Sequence, residues 1–429
     1  MTVTWSKLIC QAEKLLGGPA PFINLASILS SEAGSLASRA RRLASNVNHP
    51  FFSTVRSCLR GKSVNNLFSI SSAISDHFSP PIMSERPSGG LIILLVGQSY
   101  ASPTNSTKLC NQHRSLAEIF ETVHTALAIH KSLVDLDDVT RKTNDTETWM
   151  KNMEVANKLA TLSGDVLLAS VSTSLAKLHH AKAVDIISEA MGNMVEAEFH
   201  ELALTSTIDV NHTVENNLDA NPIHLSPTEK WLSFVQLSRG ALLGSCCEAA
   251  LLLVEKHICN SSSIPIELNR DWNKISSTVK SFGSTWACLT RLTEEREHIQ
   301  RTWFTELTAD TYQSVKGIQA MKRNDFTPSE IIPDYTEFGL SEPTFADAIL
   351  SCSTSKTHHK LKDIVDEVLS EYNQIGYELA GELREYFAQI VSTNAQINGD
   401  SLQKVKHLPG VQLLGQMVDK LIDDCNCTP

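Results

Sequence analysis

Long stretches of this chain carry apolar residues at steps of three, four and seven, and alternation of apolar with polar residues is rare. In LAEIFETVHTALAIHKSLV the residues Leu116, Ile119, Val123, Leu127 and Val134 follow that spacing, which lines up one stripe of a helix. MEVANKLATLSGDVLLASVSTSLAKLH is a second such segment, and residues 184–204, 229–258, 271–320 and 357–392 extend the pattern. Stripes of that length must be covered by other stripes. The expected fold class is therefore all-α, a helical bundle around one large core. A chain of 429 residues is long enough to bury it.

Before this region, residues 5–16 predict a helix, GGPAPF a break, and residues 23–46 a second helix carrying Leu25, Ile28, Leu29, Leu36 and Leu43. Residues 50–74 read as helical but interrupted. The expected organisation is an N-terminal helical extension over 1–80 that packs on an all-helical domain over 81–429. Connections rich in Pro, Asn and Ser fall near 205–228 and 323–343. Pro80, Pro81, Pro87 and Gly89-Gly90 predict a turn or loop. GGLIILLVGQS has no diagnostic period, so it reads as a strand or as a short buried helix. It is about half the length of a membrane span, and no other stretch reads as apolar enough to cross a bilayer. MTVTWSKLICQAEKLLG reads as a folded amphipathic helix rather than a signal peptide.

A formal net charge of -11 argues against nucleic acid as a partner. The ten cysteines are scattered, and neither Cys246-Cys247 nor Cys425-x-Cys427 has zinc-ribbon spacing. They read as small buried hydrophobes of a reducing compartment.

Two acidic stretches invite a metal reading. In LAIHKSLVDLDDVTR, Asp135, Asp137 and Asp138 crowd the end of an apolar run. On a helix Lys131 would face Asp135, and Asp137 would face Arg141. Magnesium needs converging oxygen ligands, and a lysine one turn before Asp135 competes with it. In TRLTEEREHIQRTW, Glu294 faces His298 and Arg291 faces Glu295. Two ligands one turn apart do not complete a site, and a solvated charged face explains either run as well. LSGD is sharper. Gly164 inside a helical pattern costs about 1 kcal/mol, which a closely approaching second helix would explain, with Asp165 turned to a shared polar cleft. A kink or local cap is the alternative.

The run from Ala126 to Arg141, NKLATLSGDVLLAS from Asn157 to Ser170, and LSRGALLGSCCEAA from Leu237 to Ala250 occur in an order that resembles the trans-isoprenyl diphosphate synthases. The likeness is greatest to the second, non-catalytic-like subunit of heteromeric all-trans decaprenyl/solanesyl diphosphate synthases. WSKLICQAEKLLGGPAPFINLASILSSEAGSLASRARRLASNVNHPFF and CNQHRSLAEIFETVHTALAIH resemble that subunit's leading region. The resemblance implies an isoprenoid synthase helical bundle. In active members of that family two Asp-rich motifs hold a diphosphate through Mg2+ while isopentenyl diphosphate attacks the allylic carbon, and metal ions and basic groups stabilise the departing charge.

Carried onto this chain, the first motif falls on His130, Lys131, Ser132 and Asp135, so a lysine and a serine stand where carboxylates belong. The second falls on Glu294, Glu295 and His298. Arg141 is the one retained arginine of a diphosphate-contacting pair, and Arg239-Gly240 replaces a Lys-Thr pair. Gly164 and Asp165 match a Gly-Asp of structural role. The resemblance thus implies a subunit with no catalytic residue and no metal of its own, paired with a catalytic subunit 1 that holds the Mg2+. The pair would form a heterotetramer that handles isoprenyl diphosphates for the ubiquinone side chain, in the mitochondrial matrix, with peripheral membrane proximity for product release. Two alternatives stay open: a self-sufficient Mg2+-dependent prenyltransferase using Asp135, Asp137, Asp138, Glu294 and Glu295, and a helical scaffold without prenyl chemistry.

Overall fold

A computed structural model of the chain describes residues 4–17, 86–100, 107–134, 147–206, 226–261, 271–308, 345, 361–398 and 401–425. Every element among them is helical. In chain order these are α1 (Trp5–Leu15), α2 (Gly89–Tyr100), α3 (Thr107–Lys131), α4 (Glu147–Lys177), α5 (Ala181–Ser206), α6 (Pro227–Val235), a π-helical segment (Gln236–Gly240), α7 (Ala241–Ser261), α8 (Asp271–Thr308), α9 (Leu361–Asn398), α10 (Leu402–Lys406) and α11 (Pro409–Cys425). The expected helices at 23–46 and 50–74, the 1–80 extension beyond Gly17, and the connection at 323–343 lie outside the described residues.

The core is organised around α7. Leu242, Leu243, Cys246, Cys247, Ala249, Ala250 and Leu251 to Val254 are all buried, and α7 packs against α2, α3, α5 and α8. A helix apolar on every side has to sit inside the bundle. The same logic settles GGLIILLVGQSY. It is the helix α2, buried from Gly90 through Gly97 and again at Ser99 and Tyr100, and enclosed by α3, α7 and α11. Gly89 and Gly90 do not form the expected turn. They are the first residues of α2, and the Gly90 amide donates to Glu121 Oε1 at 2.9 Å, which satisfies an N-terminal donor and sets a carboxylate at the positive end of the helix. The buried Cys246 and Cys247 thiols have their proton affinity raised by burial, as expected of packed rather than reactive cysteines.

α7 and α8 approach at backbone distance. A Cβ on Gly244 would lie 2.6 Å from the Lys280 carbonyl, and one on Gly283 would lie 2.9 Å from Gly244 Cα. Facing glycines are what permit this contact, and it seats the part of α8 that precedes the second acidic stretch. Two helical stretches, Met150–Lys177 and Thr228–Ile258, are long and apolar enough to cross a membrane by length and composition. This corrects the expectation from the sequence, where interspersed residues such as Lys158 and Asp165 obscured the first of them. The second is mostly enclosed by the bundle.

His113 of α3 is buried, and its Nε2 lies 3.0 Å from the Ala250 carbonyl of α7. Burial pushes its pKa down from 6.5 to about 4, partly offset by that hydrogen bond. Below pH 6.5 the unfolded chain takes up a proton that the folded chain refuses, so stability falls with pH through this window and levels off below about 4. The full loss is about 3 kcal/mol. Urea midpoints measured from pH 7 to pH 4 should fall for the native chain, and less steeply for His113→Gln, whose amide can still donate to Ala250.

Candidate functional site

Helix α3 ends at Lys131. The Ser132 and Leu133 amides donate to the Ile129 and His130 carbonyls at 3.1 and 3.3 Å, and the buried Ser132 hydroxyl donates back to Ile129 at 2.6 Å. The helix thus closes at Lys131, and the expected Lys131–Asp135 pairing lies outside the described residues. Lys131 Nζ lies 2.7 Å from Glu198 Oε1 of α5. After the turn, Asn157 of α4 clamps Val134 from both sides, accepting from its amide at 3.0 Å and donating to its carbonyl at 2.8 Å. Asp135, Asp137, Asp138 and Arg141 lie outside the described residues.

His130 explains Gly164. Its Nε2 lies 3.3 Å from the Thr161 carbonyl and 3.4 Å from Asp165 Oδ1, and a Cβ on Gly164 would meet that nitrogen at 2.0 Å. The close approach expected at LSGD is made by the end of α3, with α4 continuing as a helix through Gly164. Asp165 is turned outward and largely exposed. Beside this junction an open groove of about 790 Å3 is lined by Leu133, Asn157, Leu162 and neighbouring residues.

The second acidic stretch lies on α8, and its two glutamates have different fates. Glu294 is half-buried and 3.6 Å from Arg239 Nη1. Arg239 belongs to the π-helical segment, which packs between α5 and α8. Glu295 is sealed in the interior at 1% exposure. Its Oε1 accepts from Arg291 Nε–H at 2.5 Å and from the Trp231 indole at 3.3 Å. Its Oε2 accepts from the Phe345 amide and the Tyr372 hydroxyl, both at 2.9 Å. Phe345 is itself enclosed between Trp231 and Tyr372, with ring centroids 5.3 and 4.9 Å away. The expected Arg291–Glu295 pair is present, but on a buried face rather than a solvated one. His298 lies on α8, with its side chain outside the described part.

The described residues of the two motifs do not fit Mg2+. At the first motif the cation is a lysine already paired to Glu198. At the second, one carboxylate is opposed by Arg239 and the other has both oxygens taken by protein donors. Among the described residues there is no group of three or more His, Cys, Asp or Glu placed to hold a metal ion. The sequence did not disclose Glu198, Trp231, Phe345 or Tyr372 as partners, because each reaches the site from a different helix or segment and no spacing rule links them.

A polyprenyl synthetase family model matches residues 88–260, the stretch from α2 to the end of α7. Human all trans-polyprenyl-diphosphate synthase PDSS2 is 29% identical over 291 residues, covering 65% of this chain and 63% of that protein. The mouse protein of the same name is 30% identical over 261 residues, covering 58% of this chain and 56% of that protein. Each match thus spans less than two thirds of the relative's length. A decaprenyl diphosphate synthase crystal structure from Rhodobacter capsulatus has a TM-score of 0.44 at 13% identity, covering 90% of this chain and 98% of that one. The chain is related in sequence to the PDSS2-type trans-polyprenyl diphosphate synthases, and the polyprenyl synthetase match runs through the part of its all-helical bundle from α2 to α7.

Removing Glu295 would strand Arg291 in the interior without its counter-charge. Glu295→Ala should cost about 3–5 kcal/mol, read as a lower chemical-denaturation midpoint. Glu295→Gln should cost less, because the amide oxygen still accepts. Gly164→Leu should also destabilise, since its side chain needs the space that His130 fills.

Proposed function

We propose that this chain is the partner subunit of a heteromeric all-trans polyprenyl diphosphate synthase, not catalytic by itself. In such an assembly the catalytic subunit would hold the Mg2+ and the isoprenyl diphosphates. This chain would stabilise that subunit and help shape the cavity in which the product elongates. A heterotetramer in the mitochondrial matrix, serving the ubiquinone side chain, is part of the same proposal.

The observation that carries the reading is Glu295. A second-motif carboxylate with four internal donors on its two oxygens cannot also ligate a metal without breaking the packing of α6, α8 and α9 around it. Lys131 adds to this, because a paired ammonium stands at a first-motif position where a diphosphate–metal complex requires oxygen. The homology to PDSS2-type proteins supports the assignment to polyprenyl chain elongation.

The test compares the purified chain with the chain co-expressed beside a catalytic subunit, each given allylic and isopentenyl diphosphates and Mg2+. Turnover is expected only in the co-expressed sample, with both chains in one complex by native mass. Robust turnover by the isolated chain would refute the proposal in favour of a self-sufficient prenyltransferase. Within the complex, Asp135→Ala and Glu294→Ala should each leave activity within a few-fold. A loss of about two orders of magnitude would mean that these carboxylates act in the reaction.

A further inference from the structure

A second polar cavity lies at the other end of the bundle. Gln112, near the start of α3, donates to the Leu178 carbonyl at the end of α4. At the rise of an α-helix this end is roughly 30 Å along α3 from Lys131. Between the start of α5, the second half of α7 and the start of α8 there is a cavity of about 290 Å3. Leu252 and Trp272 contribute buried apolar walls. Polar groups from all three helices share the lining, among them Lys182, Lys256, His180 and Asn273.

Two of these donors are held in place. The Ala183 amide donates to His180 Nδ1 at 3.2 Å, so the neutral ring carries its proton on Nε2 and offers a donor there. Lys256 Nζ donates to the His179 carbonyl at 2.7 Å. His179 has φ 51°, which only it among the described non-glycine residues adopts, and this left-handed turn brings its carbonyl to the lysine. The His180 proton affinity is lowered by burial first and then by Lys256 and Lys182, so both ammonium groups bear on the imidazole. Glu255 is the one carboxylate in the lining, and Lys182 acts on it.

We infer that this cavity binds a phosphate-type anion, presented either by a small soluble molecule or by a lipid headgroup. Two ammonium groups, an imidazole N–H and an amide outnumber the single carboxylate, in a chain whose net charge is -11. That local reversal of sign repels metal cations and attracts oxyanions. Phosphate, with more oxygens and more charge than a carboxylate, can engage donors arriving from three helices together. A volume of about 290 Å3, at the small end of ligand pockets, suits a phosphate group.

Inorganic phosphate titrated against the full chain without divalent cations, and followed by 31P line broadening, reads the site directly. The native chain should broaden the signal. Lys182→Ala/Lys256→Ala should bind about tenfold more weakly, and Glu255→Gln more tightly. Both lysines are exposed, so their truncation should leave the bundle intact, as far-UV circular dichroism would verify. Absence of broadening with the native chain, or equal broadening with the double variant, overturns the inference. Flotation with phosphatidylcholine vesicles containing phosphatidic acid separates the two sources. Flotation lost in the double variant identifies a lipid headgroup, whereas phosphate binding without flotation identifies a soluble ligand.

Discussion

A carboxylate taken fully out of water is tolerable only when its oxygens are supplied with donors and its charge is matched. Glu295 meets both conditions with the Arg291 guanidinium, an indole, a hydroxyl and a backbone amide. Those four groups come from α8 itself, α6, α9 and the segment that carries Phe345. The carboxylate therefore works as the common acceptor at which these parts meet, and the aromatic rings of Trp231, Phe345 and Tyr372 close over it. The geometry around α8 rests on this one buried charge. It also fixes what that position can do, because an oxygen engaged by two internal donors is not offered to a metal.

The same principle operates more weakly at the rim. Lys131 is set against Glu198, and Arg239 against Glu294. In each case a cation is neutralised by a carboxylate on a different helix. An Asp-rich prenyltransferase needs several carboxylates to converge on metal ions with their charge uncompensated by the protein, so that the ions can bind and bridge to diphosphate. At these described positions the charges are compensated within the chain. The bundle keeps its form because the apolar stripes and the glycine contact of α7 with α8 do not depend on which polar residues stand at the cleft. The form of the bundle and the polar groups at its cleft are separable in this protein.

Much of this was legible in the linear pattern. The periodicity of the segments after residue 107 marked α3, α4, α5, α7, α8 and α9, because a helix long enough to repeat its stripe leaves little ambiguity. Gly164 was readable as a point of close approach, since a glycine there has a cost that something must offset. The i,i+4 spacing of Arg291 and Glu295 foretold their pairing, although not the depth at which it occurs. The apolar run at Gly89 was undecidable, because a segment buried on every side loses the period that would separate helix from strand.

Where a helix stops, and what a side chain meets beyond its own helix, were decided by the tertiary structure. The turn at Ser132 ends α3, and Lys131 finds Glu198 on α5. Glu295 could be read as a surface acid or a metal ligand until α6, α9 and Phe345 closed around it. Helical periodicity is a local property, fixed by 3.6 residues per turn and the order of apolar residues. The protonation, burial and partners of a polar group depend on segments distant in the chain, and only packing brings those together.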